Sequence, residues 1–215
     1  MPAEKIFWED PYLTELTASV TSVNGDTITL DRTIFYAASG GQESDSGTIG
    51  GRKVLEAEKR GPEIYYTLEG PHDLNPGDEV LIKIDWIRRY RLMRLHFAAE
   101  IVLELVYQLF GRPSKIGANI SEDKARIDFL WEGRISDAFP ILLERAGKII
   151  DADFPIRSEY SDRESEQRYW EIEGLARVSC GGTHLKHTGE VGQIRLKRNN
   201  IGKGKERIEI TLVEP

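Results

Sequence analysis

The spacing of apolar residues changes character near residue 85. Upstream, residues 14–84 carry short alternating stretches. Residues 18–23 and 27–30 are β-branched, and Asn24-Gly25-Asp26 between them reads as a hairpin turn. Residues 53–59 and 63–68 form a second strand pair around Gly61-Pro62. Asn75-Pro76-Gly77-Asp78 is a further turn, leading into a strand over 80–84. Many short strands with closely spaced turns predict a small barrel or sandwich, and a β-barrel-like domain is expected over residues 1–85.

Downstream the period lengthens. Leu92, Leu95, Ala99, Val102, Leu103, Val106 and Leu109 follow helical spacing, and Gly111 and Pro113 stop the helix. A hairpin over 116–120 and 125–131 follows. Residues 137–151 read as a helix whose first turn accepts Pro140. Residues 157–160 are a strand candidate, and the charged stretch 162–172 reads as helical. Residues 191–198 and 207–213 close the chain as a hairpin around Gly202 and Gly204. The chain is thus α+β, with a second domain over 86–215 in which helices pack on an antiparallel sheet.

Candidate chemistry concentrates in Cys180-Gly181-Gly182-Thr183-His184, which holds the only cysteine of the 215 residues. A thiolate and an imidazole can share a metal ion, and zinc takes both. Two ligands hold zinc weakly, so partners must come from elsewhere. His96 and Glu100 lie one helical turn apart, on one face of an otherwise apolar helix. A carboxylate there is costly without a cation. His96, Glu100, Cys180 and His184 are therefore read as one zinc site, one ion per chain. Taken singly, each has a plainer reading: Cys180 as a small buried apolar residue, Glu100 as a solvated helix residue. His187 is expected at the rim of the site rather than as a ligand.

Gly40, Gly41 and Gln42 form part of a glycine-rich loop through which a substrate could approach the backbone closely. Charge enters next. The net charge of −7 argues against broad, sequence-blind nucleic-acid binding, but a local basic groove is compatible with it; no DNA partner is expected. Arginines 88, 89, 91 and 94 precede His96, and Lys203 and Lys205 lie in the final hairpin. Such runs are usually solvated faces, yet both adjoin proposed ligands. One cysteine excludes an intramolecular disulfide framework and fits a reducing, cytoplasmic setting. Residues 1–10 lack the pattern of a signal peptide, and no apolar stretch is long enough for a membrane span.

These residues resemble a known family. Cys180 to His184, followed by Thr188-Gly189-Glu190-Val191-Gly192, is similar to the second core motif of alanyl- and threonyl-tRNA synthetase editing domains. Residues 201–208 resemble that family's closing hairpin, and Asp162-Arg163-Glu164 also fits. Phe35-Tyr36 with Ser39-Gly40-Gly41-Gln42, Asp45 and Gly47 resembles the glycine-rich motif of the alanyl type. The resemblance covers nearly the whole chain and leaves no room for aminoacylation or anticodon domains. It points to the free-standing alanyl-tRNA editing proteins of the AlaX group, in their medium-length form.

The resemblance implies a zinc-dependent deacylase that hydrolyses Ser-tRNA(Ala), and Gly-tRNA(Ala), while sparing Ala-tRNA(Ala). Gly40, Gly41, Gln42 and Thr183 are then expected to bind substrate, and Arg94, Lys203 and Lys205 to contact tRNA phosphates. The family's first motif is His-x-x-x-His, whereas this chain has Glu100 in the second position, as ligand or general base. Two other readings of the residues stay open: a non-catalytic RNA-binding module with structural zinc, and a small-molecule metallohydrolase.

Overall fold

A computed structural model describes residues 2–213 of the chain. The proposed domain ends at residues 1 and 215 lie outside the described residues. The chain divides into two compact units. One runs to Ser39 and resumes over Glu43–Tyr90; the other joins Gly40–Gln42 to the chain from Arg91 onward.

The first unit contains β1 (Glu4–Lys5), β2 (Glu15–Asn24), β3 (Thr27–Leu30), β4 (Arg32–Thr33), β5 (Gly47–Ile49), β6 (Arg52–Arg60), β7 (Glu63–Leu68) and β8 (Glu79–Ile84). Six of them pair in the order β2-β3-β7-β6-β5-β8, and β8 returns to β2, which closes the ring. The alternation is visible in β7 and β8, where every second residue is buried. Ile28, Leu30, Ile49, Tyr66 and Ile82 fill the interior, each fully buried. Burying side chains of this size is worth about 1.5–3 kcal/mol apiece. Gly47 is required where β5 meets β8: a Cβ there would lie 2.1 Å from the Lys83 carbonyl oxygen.

Helix α1 (Trp86–Leu109) starts at Asp85, whose Oδ1 accepts the Arg88 N–H at 3.1 Å. It contains no Gly or Pro, and Gly111 ends it with φ of 69°. From Arg91 onward the helix belongs to the second unit, where Leu92, Leu95, Phe97, Val102 and Val106 are fully buried. No helix among the described residues is long and apolar enough to cross a membrane.

The second unit continues with β9 (Lys115–Ile120), β10 (Ala125–Leu130), α2 (Phe139–Asp151), β11 (Arg157–Asp162), β12 (Gln167–Ile172), β13 (Ala176–Ser179), β14 (Ile194–Gly202) and β15 (Lys205–Leu212). An antiparallel sheet takes the order β14-β15-β10-β9, and α2 packs on β14. Gln42 adds a parallel bridge to Ile120 at the β9 edge. Residues 40–42, read from sequence with the first domain, therefore pack with the second unit. A separate antiparallel sheet has the order β11-β12-β13.

This second sheet corrects the helix expected over 162–172. The chain there turns back on itself between β11 and β12. Asp162 builds the turn by accepting the Glu164 N–H at 2.9 Å and the Ser165 hydroxyl at 2.6 Å, and Glu166 takes a positive φ of 55°. Arg168, Tyr169 and Trp170 are all buried in succession, so β12 has no period-two pattern to read. Aromatic residues favour strands, and tertiary burial decides the matter.

Candidate metal centre

The centre lies wholly in the second unit. Helix α1 presents His96 and Glu100 on one face, and the segment after β13 presents Cys180 and His184. The ligating atoms of His96, Cys180 and His184 all lie within 4.8 Å of one another. Cys180 Sγ stands 3.4 Å from His96 Nε2 and 3.3 Å from His184 Nε2. Tetrahedral zinc separates bound sulfur and nitrogen by roughly 3.5 Å, so the spacing fits without rearrangement. Glu100 Oε1 is 3.3 Å from His96 Nε2 and 3.6 Å from Cys180 Sγ. One thiolate, two imidazoles and a carboxylate are a donor set suited to zinc.

Neighbouring groups aim these donors. His96 Nδ1 lies 2.8 Å from Gln42 Oε1, which also accepts the Thr183 N–H at 3.2 Å. Because a backbone N–H can only donate, that bond fixes this end of the amide as oxygen, and Gln42 Nε2 donates to Thr183 Oγ1 at 2.9 Å. His96 Nδ1 therefore carries a proton, and once the ring is neutral its Nε2 lone pair faces Cys180. Ser158 Oγ sits 2.9 Å from His184 Nδ1 and leaves that ring's Nε2 toward the same sulfur. Trp170 Nε1 donates to Glu100 Oε2 at 3.0 Å, so the carboxylate turns its other oxygen to the cluster.

Gly182 makes the assembly possible. A Cβ there would meet His96 Cε1 at 2.1 Å and Gln42 Oε1 at 2.8 Å. At Gly41, with φ of 92°, a Cβ would press on the Ala118 carbonyl oxygen at 3.0 Å.

Without a metal the donors polarise one another. Burial opposes charge on the Cys180 thiol, but His96 and His184 outweigh it and pull its pKa down to about 6. Burial likewise opposes protonation of His96, but the Cys180 thiolate and the Glu100 carboxylate hold it up at about 10. Glu100 is brought down to about 2, against its burial, by the bonds and charge of His96 and by Trp170. Two anionic donors thus stand ready, with an imidazole proton to give up to an incoming cation.

The remaining expected site residues are placed as follows. Gln42 and Thr183 are buried and bonded to each other beside His96, and Gly40 is open. Arg94 directs Nε and Nη2 to the Val191 carbonyl oxygen, both at 3.1 Å. Lys203 and Lys205 are exposed at the β14–β15 turn. His187 is exposed, with Nδ1 3.2 Å from the Asp153 carbonyl oxygen, and is not among the three clustered donors. Sequence reasoning missed Ser158 and Trp170. Neither lies at a spacing that ties it to a ligand, and Trp170 falls in the stretch misread as helix.

Comparison with known proteins defines the class first. Residues 6–88 match the family of class II (A) tRNA synthetases, and residues 172–209 match the threonyl and alanyl tRNA synthetase second additional domain. Full-length relatives then narrow it. The alanyl-tRNA editing protein AlaX-M of Pyrococcus horikoshii is 34% identical over 97% of both chains. That of Saccharolobus solfataricus is 33% identical over 97% of this chain and 98% of its own length. The chain belongs to the AlaX-M family of alanyl-tRNA editing proteins. It also aligns, at 33% identity, with a quarter of the alanine–tRNA ligase of Methanococcus aeolicus.

Proposed function

We propose that this protein is a trans-editing hydrolase that removes serine, and also glycine, from wrongly charged alanine tRNA in the cytoplasm. It spares alanine. The closed strand ring of the first unit serves as its small β-barrel domain. The observation that carries the reading is the convergence of His96, Cys180 and His184 beside Glu100, in a chain that belongs to the AlaX-M family.

His96, Cys180 and His184 would hold one zinc ion, with Glu100 Oε1 as the fourth donor. Zinc would supply Lewis-acid polarisation of the ester carbonyl. The protein's own groups do the rest. Gln42 keeps the His96 imidazole in the tautomer that offers Nε2, and Ser158 engages His184 Nδ1 so that its Nε2 faces the cluster. Glu100, when not acting as a donor, would take the proton of the attacking water. Gln42 and Thr183 adjoin His96, and with Gly40 and Gly41 they would shape the aminoacyl pocket. Lys203 and Lys205 are exposed and would contact tRNA phosphates, and Arg94 would do so through the N–H groups that Val191 does not take.

The reaction answers a physical problem. A pocket for alanine rejects glycine or serine by only about 1–3 kcal/mol, too little for accurate translation. A second, hydrolytic site adds the missing discrimination. The test is incubation of the purified protein with serine-, glycine- and alanine-charged alanine tRNA, with and without chelator. Serine-charged tRNA should decay, alanine-charged tRNA should persist, and chelator should stop the decay. Decay of serine-charged tRNA at the protein-free rate would overturn the reading.

A further inference from the structure

The four-stranded sheet of the second unit has two faces of opposite character. Ile127, Phe129, Ile208 and Ile210 point into the core and are at most 1% exposed. The alternate residues face away. Register sets Lys197, Glu209, Arg126 and Asn119 in one row across the strands. Asn199, Arg207, Asp128 and Gly117 form the next row. Lys124, Arg195 and Lys205 share the parity of this outer face. It thus gathers six cations against two carboxylates, on a chain whose net charge is −7.

The carboxylates are sunk beneath the cations. Asp128 is 6% exposed and Glu209 7%. Asp128 accepts Arg207 Nε at 2.7 Å and Nη2 at 3.0 Å, and also takes a bond from Arg126. Glu209 accepts Lys124 Nζ at 2.6 Å. Gly117 leaves the space beside Asp128, since a Cβ would come within 3.1 Å of Oδ2. Asp128 therefore acts as a buried anchor for two guanidinium groups, which keeps their planar forks ordered before any ligand arrives. Arg195, Lys197 and Lys205 are exposed around them.

This face leads to the metal centre. At the β9 edge the Gly41 carbonyl oxygen accepts Ile120 N–H at 2.7 Å and Asn119 Nδ2 at 3.3 Å. The next residue, Gln42, holds His96. One edge segment thus borders both the basic face and the cluster. Glu122 and Asp123, in the β9–β10 turn, bound the patch with opposite charge.

We propose that this outer face is the docking surface for the sugar–phosphate backbone of the RNA substrate, whose acceptor end crosses the β9 edge toward residues 40–42. The proposal rests on the tRNA-editing reading and names where that partner sits. Charge complementarity favours a polyphosphate. The exposed apolar residues of these strands, Ile116 and Leu130, lie at one end, so the face lacks the central apolar patch of a protein interface.

The test compares the unmodified protein with the double variant R195E/K197E, whose changed side chains are exposed. Binding of uncharged alanine tRNA is followed by fluorescence anisotropy across salt concentrations, with zinc content measured in parallel. The variant should bind at least tenfold more weakly, and its log–log salt slope should be shallower by about 1.5–2, with zinc content unchanged. Equal affinity and slope would overturn the assignment, as would failure of the unmodified protein to bind tRNA. Polyglutamate binding as tightly as tRNA, with the same loss in the variant, would also overturn it in favour of an acidic protein partner. Loss of tRNA binding in a protein that never deacylates would uphold the docking face and sink only the editing reading.

Discussion

Two buried polar clusters, one in each unit, solve the burial of charge in different ways. In the first unit, Arg89 and Asp45 are fully buried. Arg89 donates Nε to Asp45 Oδ1 at 2.7 Å, Nη1 to the Pro11 carbonyl oxygen at 2.9 Å and Nη2 to that of Ile34 at 2.6 Å. Asp45 in turn accepts the Tyr36 N–H at 2.7 Å. Every donor there points outward to its own acceptor. In the second unit, two imidazole nitrogens, a sulfur and a carboxylate oxygen converge on one volume. Groups that converge in this way are lone-pair donors in need of a shared cation. Divergent bonding marks a structural pair, and convergent bonding marks a binding site.

The largest expected effect breaks the divergent cluster. Asp45→Ala leaves a buried, unpaired guanidinium and should cost about 3–5 kcal/mol in denaturant unfolding. A loss below about 1 kcal/mol would show that the pair is not structural. Cys180→Ala attacks the convergent one. Zinc content should fall from one per chain to near zero, and the stabilisation by added zinc should vanish; at a hundredfold excess over Kd that is about 2.7 kcal/mol. A melting temperature indifferent to chelator in the unmodified protein would remove the metal reading.

Glu100 separates donor from base. Glu100→His should keep zinc, and Glu100→Ala should weaken zinc binding, deacylation or both. Elemental analysis with a deacylation assay reads the split: lost zinc makes Glu100 a ligand, while full zinc with lost activity makes it the base. Full zinc and full activity in Glu100→Ala would make it a bystander.

The smallest effect is in the pH dependence of the chelated protein. Cys180 drops from 9.0 to about 6 and His96 rises from 6.5 to about 10 on folding. The lowered thiol contributes stability that is lost as pH falls from 9.0 toward 6. The raised imidazole contributes stability that is lost as pH rises from 6.5 toward 10. Between 6.5 and 9.0 the folded and unfolded pairs each hold one proton, so the two slopes cancel and these groups leave a plateau. Glu100, lowered from 4.5 to about 2, adds stability that disappears as pH falls through that range. Denaturant titrations at several pH values would test this; a steep slope from these groups between pH 7 and 8.5, absent in Cys180→Ala, would contradict it.

Much of this arrangement was legible in the residues. The turn signals and alternation of residues 14–84 anticipate strands β2, β3 and β6 to β8. The apolar spacing after Asp85 anticipates α1, and with it the shared face of His96 and Glu100. Strand β5 was not read, because Gly47-Thr48-Ile49 is too short to show a period. Strand β12 was misread, because burial on both sides erased its alternation.

The sequence by itself determined what is local: helical and strand periods, the glycines of Cys180-Gly181-Gly182-Thr183-His184, and the donor types suited to zinc. Side-chain direction repeats with backbone geometry, so near neighbours along the chain reveal their own arrangement. Only the tertiary structure decided which distant elements meet. It brings His96 to a sulfur 84 residues away, turns Gln42 from a loop residue into the support of that histidine, and supplies Ser158 and Trp170 as further supports. It also sets the Arg94 guanidinium on a backbone carbonyl and spreads the cations of β10, β14 and β15 over one sheet face. Those outcomes depend on strand register and on where the apolar core places each backbone, and no local spacing in the chain encodes either.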